Sequence, residues 1–249
     1  MRKPFQGVFN IIRFNWHFYA FALALVLSLI FAANYVQESL QFFLYLAIFL
    51  ISISTMVSLL ASFYVYDLSG LYRFDWLQKN NLENLIVNIN AGFDETSALL
   101  QDKFKGTKLI ALDFYDPLKH TEISIKRARK AYPPFSGTQQ VETTHLPLPD
   151  NAADKIFAIL AAHEIRNEVE RVAFFKELSR IMKPNGQVFV IEHLRDPANF
   201  LAYNIGFFHF YSKSAWFKIF REANLTVRQE IKQTPFISTF ILEKNGNTN

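Results

Sequence analysis

The first 66 residues are more uniformly apolar than the rest of the chain. Residues 18–36 and residues 39–66 are two long runs without a charged side chain. A helix needs about 20 apolar residues to cross the hydrocarbon core of a bilayer, and both runs are close to this length or exceed it. The pattern predicts an N-terminal transmembrane helical hairpin at residues 1–66, with spans at about 17–36 and 41–64. A buried helical hairpin in a soluble protein is the alternative.

Basic residues flank the outer ends of the two predicted spans. Arg13 precedes the first span, Arg73 follows the second, and the connection at 37–39 contains neither Lys nor Arg. The positive-inside rule then predicts an inner (cytoplasmic) membrane protein with both termini in the cytoplasm, and the lipid bilayer as a partner. The aromatic residues 67–80 are expected to form an interfacial linker that lies in the interface or packs against the domain. The hydroxyl residues of the second span, Ser52, Ser54, Thr55 and Ser58, are interpreted as helix-packing positions and not as a pathway.

From residue 81 onward the pattern changes to short apolar runs that alternate with amphipathic helices. This alternation predicts an α/β domain at residues 81–243 with a frayed tail at 244–249. A turn is predicted at 183–186, where a Pro and a Gly lie close together. The predicted strands are 85–89, 109–112, 140–143, 155–161, 187–191, 225–231 and 236–242, and the predicted helices are 96–104, 121–131, 168–182 and 214–223.

Residues 85–113 form the unit around which this domain is organised. They read as a buried strand, a turn at Gly92, a helix and a second strand ending at Asp113. Such a unit is typical of the first half of a nucleotide-binding sheet, where an acid binds ribose hydroxyls. Asn90 and Asp94 stand where two further glycines would be usual. A structural turn without a ligand therefore stays open as an alternative.

Composition narrows the possible functions. The chain has 249 residues, of which 51% are hydrophobic and 19% charged, with a net charge of +4. There is no cysteine, so neither disulfides nor thiolate metal sites can form. The six histidines show no helical metal-binding spacing, and no metal site is predicted. The charge is too small and too dispersed for a nucleic-acid partner.

Two segments in the middle of the domain resemble a known family. Residues 146–154, Leu-Pro-Leu-Pro-Asp-Asn-Ala-Ala-Asp, are similar to the LPF-pDNSFD loop of class I S-adenosylmethionine-dependent methyltransferases. Residues 175–186, Phe-Lys-Glu-Leu-Ser-Arg-Ile-Met-Lys-Pro-Asn-Gly, resemble the F–EL-RVLKPGG segment of the same family. The resemblance covers roughly residues 80–243. It implies a seven-stranded Rossmann-like sheet and S-adenosylmethionine as the cofactor.

The resemblance also implies which residues bind the cofactor. Asn88 stands where an acid usually meets the methionine amino group, and Asp113 matches the acid that binds the ribose. Phe114 would flank the adenine. The full set of cofactor-binding positions that the resemblance implies is Asn88, Asn90, Gly92, Asp113, Phe114, Glu142, Thr143 and Ala161.

The candidate catalytic residues are His163, Glu164, Glu192 and His193. They follow the fourth and fifth predicted strands, at the edge of the sheet where ligands bind. An acid–base group is needed only if the acceptor must lose a proton. Together with the hairpin, the aromatic segment at 199–211 suggests a lipid-like or isoprenoid small molecule as the acceptor.

Two other functions are considered. Loss of two glycines and an acid from the first motif leaves open a degenerate, non-catalytic methyltransferase fold that acts through partners. A dinucleotide oxidoreductase shares the topology, and Tyr115 and Lys119 have the spacing of its catalytic pair. Pro117 lies between them, however, and prevents the helix that such a pair requires.

Overall fold

A seven-stranded mixed sheet forms the centre of the protein. The computed structural model describes residues 3–77, 83–120 and 122–246. The strand order is β3-β2-β1-β4-β5-β7-β6; β1 to β5 run parallel, and β7 runs antiparallel to β5 and β6. The predicted seven-stranded α/β sheet is confirmed. The strands are β1 Leu85–Asn90, β2 Lys108–Asp113, β3 Gln139–Gln140, β4 Ala153–Ile159, β5 Met182–His193, β6 Leu225–Lys232 and β7 Ile237–Lys244.

Eight α-helices surround or extend from this sheet in the described residues. Short 3-10 helices occur at Leu71–Arg73, Ala162–Glu164 and Asn204–His209, and a π-helical turn at Tyr64–Leu68. The α-helices are α1 Gln6–Phe14, α2 Trp16–Ala33, α3 Glu38–Phe63, α4 Ser97–Lys103, α5 Ile123–Ala131, α6 Glu168–Ile181, α7 Pro197–Tyr203 and α8 Lys213–Glu222.

Three predicted boundaries were wrong. The third strand comprises only two residues, and β4 ends at Ile159 because Leu160 adopts a positive φ of 50°. The predicted turn at 183–186 is part of β5, whose register with β4 passes from Ala153↔Met182 to Lys155↔Gln187. These extra residues bulge out of the ladder. A Cβ on Gly186 would lie 2.9 Å from the Ala153 carbonyl oxygen, so the bulge requires glycine.

Several predicted features fall partly outside the described residues. These are the last part of the 67–80 linker with Lys79, the first two residues of the 81–243 domain, Thr121 at the start of a predicted helix, and the end of the 244–249 tail.

The two faces of the sheet are covered differently. One face packs against α6 and α8, through Phe175 and Trp216 among others. The other face is covered by α4 and by the segment that follows α3. From that segment Val65, Leu71, Phe74 and Leu77 are all buried in the core. The segment expected to be an interfacial linker therefore contributes directly to the hydrophobic core of the domain.

Helices α2 and α3 project from this domain and are almost entirely exposed. Both are long and apolar enough to cross a membrane, and of their most apolar stretches only 6% and 0% are buried. A core helix of a soluble protein, which is mostly buried, and a signal sequence near the N-terminus satisfy the same length and composition criteria. The bounds of α2 and α3 lie close to the predicted spans.

Helix α1 connects the two apolar helices to the domain. Both carboxylate oxygens of Asp67 accept hydrogen bonds from its first turn, at the Gly7 and Val8 amides, each at 2.8 Å. A Cβ on Gly7 would lie 2.4 Å from Cβ of Tyr66, so only glycine permits this approach. At the other end Arg127 of α5 donates to the Phe14 carbonyl at 2.6 Å, which satisfies an orphan acceptor of the helix C-terminus.

The burial of the 64–77 segment generates a stability prediction. Phe74 is 1% exposed, so Phe74→Ala should lower the free energy of unfolding by about 3–5 kcal/mol through lost burial and a residual cavity. Leu68 is 55% exposed, and Leu68→Ala should change stability by less than about 0.5 kcal/mol. Thermal unfolding of both variants in the same detergent compares them. Equal transition temperatures would show that the segment is only a tether.

Candidate functional site

A cavity of about 1070 Å³ lies at the carboxyl edge of the sheet. Its floor is formed by the ends of β1, β4 and β5, and its sides by α1, α5 and the 204–209 helix. The remaining wall comes from the two apolar helices, through Phe18, Tyr19 and Ala22 of α2 and Ser54, Thr55 and Ser58 of α3. The interpretation of these hydroxyl residues as helix-packing positions was therefore incomplete, because they also line the cavity.

A second cavity, of about 460 Å³, lies beyond β2. Three of the predicted cofactor-binding residues, Phe114, Glu142 and Thr143, line it. The Phe114 ring packs against Phe174 with 5.5 Å between centroids, and Thr143 donates to Glu170 at 2.5 Å. These contacts hold one apolar wall and one polar wall in place, as a planar heterocycle with exocyclic donors requires.

Asp113, the predicted ribose-binding residue, is already engaged by neighbouring groups. Asp113 is 3% exposed and lines neither cavity. One of its oxygens accepts from the Tyr115 amide at 2.9 Å, and the other forms an ion pair with Arg129. The Arg129 guanidinium also lies 4.4 Å over the Tyr115 ring and donates to the Gly92 carbonyl at 3.3 Å. The carboxylate expected to bind ribose thus already holds a cation.

The turn that follows β1 requires glycine at position 92. Its φ of 99° is in the left-handed region, and an added Cβ would lie 2.9–3.0 Å from the Tyr115 side chain. Asn90 supports the turn, since its side-chain oxygen accepts from the Gly92 amide at 3.0 Å.

The turn after β1 contains two buried oxygens suited to an ammonium group. Asn88 donates to the hydroxyls of Thr96 and Ser97 at 2.9 and 2.8 Å. Within residues 3–77, 83–120 and 122–246, its Oδ1 atom and the Oδ2 atom of Asp94 have no hydrogen-bond partner. Unsatisfied buried acceptors are costly, and a ligand ammonium would satisfy them. Asp94 places a carboxylate beside Asn88, whose side-chain amide donates to its Oδ1 atom at 3.4 Å.

His163, Glu164 and Glu192 come together at the carboxyl ends of β4 and β5. The His163 ring lies between two carboxylates, with Nδ1 2.6 Å from Glu192 and Nε2 3.1 Å from Glu164. Burial alone would lower the pKa of His163, but Glu192 and Glu164 raise it to about 10. Burial opposes ionisation of Glu164, but hydrogen bonds from His163 and His209 hold its pKa well below the usual range.

His193 has different surroundings although it follows Glu192 directly. Its Nδ1 atom contacts the Asn199 side chain at 3.0 Å, and its Nε2 atom contacts the Tyr66 hydroxyl at 2.9 Å. The ring also stacks on Phe210, 4.8 Å away. Burial lowers the pKa of His193 to about 4, so the ring is neutral at physiological pH. These contacts join β5 to α7 and to the end of α3.

Ala161 lies just past β4 and is buried, and Leu160 beside it lines the large cavity. The positive φ of Leu160 is unusual for a bulky residue and marks a constrained turn at this edge.

Sequence reasoning missed four residues of this region: Asp94, Arg129, Arg166 and His209. An acid six residues after Asn88 was a detectable signal. The position of His209 was not, because it meets Glu164 across 45 residues of chain.

Comparison with known proteins supports a class I methyltransferase. A family model described as a methyltransferase domain matches residues 88–190. A search among curated proteins gives no match. Among solved structures, human N-acetylserotonin methyltransferase in complex with S-adenosylmethionine is similar at 16% identity and a TM-score of 0.53, with 77% of this chain and 55% of that chain covered.

Two further solved structures show weaker similarity. A methyltransferase from Aquifex aeolicus has 17% identity and a TM-score of 0.49, covering 76% of this chain and 97% of that chain. The PH0226 protein of Pyrococcus horikoshii OT3 has 15% identity and a TM-score of 0.49, covering 70% and 85%. The likeness to the human enzyme, with a TM-score of 0.53 at 16% identity, shows the fold alone. The methyltransferase family model supports S-adenosylmethionine as the cofactor.

The Asp113–Arg129 pair generates a binding prediction with opposite signs for its two members. Asp113→Ala removes the carboxylate that would bind the ribose diol and should weaken S-adenosylmethionine binding roughly 10-fold. Arg129→Ala removes a competing cation. A partly exposed ion pair contributes about 1 kcal/mol, so binding should strengthen roughly fivefold. Titration calorimetry measures both, with the exposed Lys130→Ala on the same helix as control. Weaker binding in Arg129→Ala would mean that the arginine contacts the cofactor.

Proposed function

We propose that this protein is a membrane-anchored S-adenosylmethionine-dependent methyltransferase that acts on a lipid-like or isoprenoid acceptor. One observation carries the proposal: a single cavity connects the apolar helices α2 and α3 with the carboxyl edge of a methyltransferase sheet. An acceptor that enters beside the helices would reach the ends of β4 and β5 without leaving the protein.

Membrane anchoring is supported by where the apolar surface lies. Large hydrophobic side chains are exposed along the whole of α2 and α3, and a soluble monomer rarely exposes so large an apolar surface. The 197–209 segment adds Leu201, Ile205 and Phe208, which are 70%, 85% and 64% exposed. This segment contacts α3, where Asn204 donates to Ser54 at 3.2 Å. The apolar surface proposed to face the membrane is then continuous with the rim of the large cavity.

The cofactor fits the residues at the sheet edge. Asn88 and Asp94 would hold the methionine amino group, Asp113 the ribose once Arg129 withdraws, and the smaller cavity the adenine. When bound there, S-adenosylmethionine supplies an electrophilic methyl group. The chain contributes mainly placement, since the cavity walls orient the acceptor for in-line attack.

The charge of the His163 group defines what it contributes. With a pKa near 10, His163 carries a proton at neutral pH and lies in the cavity wall. Both ring N–H groups face carboxylates, so the imidazolium would stabilise negative charge on an acceptor oxygen or carbon only where that atom replaces Glu164 at Nε2. Glu164 and Glu192 hold the ring in position. His193 is neutral and lacks this positive charge, so it contributes to the wall of the cavity instead.

A non-catalytic protein with a methyltransferase fold is the second candidate. The ion pair of Asp113 with Arg129 favours it, because the arginine fills the position of the ribose. Calorimetry of the detergent-solubilised chain with S-adenosylmethionine separates the two candidates. Absence of binding at millimolar cofactor would support the non-catalytic alternative.

Two alanines of α2 provide a matched test of the cavity route. Ala22 lines the cavity, whereas Ala24 is exposed on the outer surface of the same helix. Ala22→Phe should fill the route and reduce methyl transfer to lipid-extractable acceptors roughly 10-fold or more, since misplacement by about 1 Å can cost 100-fold. Ala24→Phe should leave transfer unchanged. Transfer from methyl-labelled S-adenosylmethionine in nanodiscs containing cell lipids measures both.

The affinity of each variant for S-adenosylmethionine serves as the internal control and should equal that of the wild type. If both phenylalanine variants transfer methyl groups normally, the acceptor does not pass beside α2.

Membrane topology gives an independent test. With both termini cytoplasmic, reporters fused at residue 249 and within the connection at residues 34–37 should report opposite sides of the membrane. Reporters that are active only on one side, such as alkaline phosphatase and a fluorescent protein, measure this. Reporters that lie on the same side of the membrane at both positions would contradict the transmembrane hairpin.

A further inference from the structure

Three side chains in the wall of the large cavity converge on one point. The metal-ligating atoms of His163, Glu164 and His209 all lie within 4.8 Å of one another. Both Nε2 atoms face the same carboxylate oxygen, Oε1 of Glu164, at 3.1 Å from His163 and 3.3 Å from His209. Ligands around a tetrahedral Zn²⁺ with bonds of about 2.0–2.1 Å are roughly 3.3 Å apart, so these two separations match two edges of a coordination polyhedron, and the two Nε2 atoms lie within 4.8 Å of each other.

The other nitrogen of each imidazole is held by a second carboxylate. Nδ1 of His163 lies 2.6 Å from Glu192, and Nδ1 of His209 lies 2.8 Å from Glu122. Histidines that bind metals almost always donate their second ring N–H to such a group, which fixes the tautomer and leaves Nε2 free to coordinate. Nδ1 of His209 also lies 2.6 Å from the Arg166 guanidinium, so the second carboxylate–histidine pair is complete only once Arg166 moves away.

The charge balance of the site also calls for a cation. Glu192 is fully buried and Glu164 is 7% exposed, and buried carboxylates need compensating positive charge. Without a metal, this charge is supplied by protons on the imidazoles and by Arg166. The Arg166 guanidinium lies 2.6 Å from Nδ1 of His209 and in still closer contact with Nε2, and 3.8 and 3.6 Å from Glu164 and Glu122. Its side chain is 41% exposed, so it can withdraw to solvent.

We propose that His163, Glu164 and His209 form a binding site for a divalent first-row transition metal ion, with Zn²⁺ or Fe²⁺ as the chemical type. Two imidazoles and one carboxylate suit these ions, and the cavity leaves coordination positions open. The ion takes the place of the Arg166 guanidinium beside His209. An open position that faces the cavity would coordinate an oxygen of a bound molecule. A bound ion would replace the proton on Nε2 of His163, so the metal and the imidazolium are alternative sources of positive charge at this point; Zn²⁺ binding is measured without methyl transfer, so the two proposals can fail separately.

Calorimetric titration of the chelator-treated, untagged full-length chain in detergent with Zn²⁺ tests the site. One equivalent should bind. Glu164→Gln and His209→Asn should each weaken binding about 100-fold or more, because each removes a ligand from a three-residue set. Glu192→Gln leaves all three ligands and should weaken binding roughly 10–100-fold. His145→Asn changes an exposed histidine outside the cluster and should have no effect.

Arg166→Ala provides a second test, in which Zn²⁺ binding should become stronger and no buried group is removed. Loss of the competing cation should strengthen Zn²⁺ binding roughly threefold or more, since like charges at close range repel. The visible absorption of a Co²⁺-substituted sample should report imidazole coordination and disappear in His209→Asn. Zn²⁺ binding that is unchanged in Glu164→Gln and His209→Asn would overturn the proposal. So would weaker binding in Arg166→Ala, or failure of the wild type to bind one equivalent.

Discussion

The packing of residues 64–77 against the sheet determines the arrangement of the rest of the molecule. Val65, Leu71 and Phe74 fill one face of the sheet directly after α3 ends, so the apolar helices cannot move independently of the domain. The Tyr66 hydroxyl meets His193 at 2.9 Å, which ties the same segment to the end of β5. A flexible tether would leave the carboxyl edge of the sheet open to solvent. Here the helices form its wall, and the large cavity exists because of this attachment.

Most of the fold could be predicted because its strands are buried and its helices amphipathic. β1, β4 and β5 are apolar runs bounded by turn residues, and α6 has a periodic apolar face. The failures occurred where local pattern and tertiary contact disagree. Residues 183–186 resemble a turn, yet pairing with β4 extends them into the strand as a bulge. At the sheet edge β3 has one neighbouring strand, and its short ladder ends after two residues.

The candidate site was predictable only where its residues share a strand end. Asp113, His163 and Glu192 could be placed because the carboxyl ends of parallel strands meet at one edge. The partners of these residues could not be placed. Arg129 lies on α5 and reaches the edge through its long side chain. His209 lies on a 3-10 helix of the 197–209 segment, which is distant in sequence from Glu164. The hydroxyl residues of α3, Ser54, Thr55 and Ser58, have helical spacing. Spacing alone does not show whether they face a neighbouring helix or a cavity.

An arginine contacts a proposed ligand-binding residue at two places, the proposed cofactor site and the proposed metal site. Arg129 holds the carboxylate of Asp113, and Arg166 approaches His209 beside Glu164. Binding in either place is therefore an exchange of one cation for another set of contacts, and the measured affinity is the difference between two interactions. On α5, Arg127 lies two residues from Arg129 and binds the Phe14 carbonyl where α1 ends. A shift of α5 that frees Asp113 would also strain this contact. If a ligand at Asp113 displaced α5 in this way, thermodynamic reciprocity would require that fixing α1 alter the affinity at Asp113 by the same free energy.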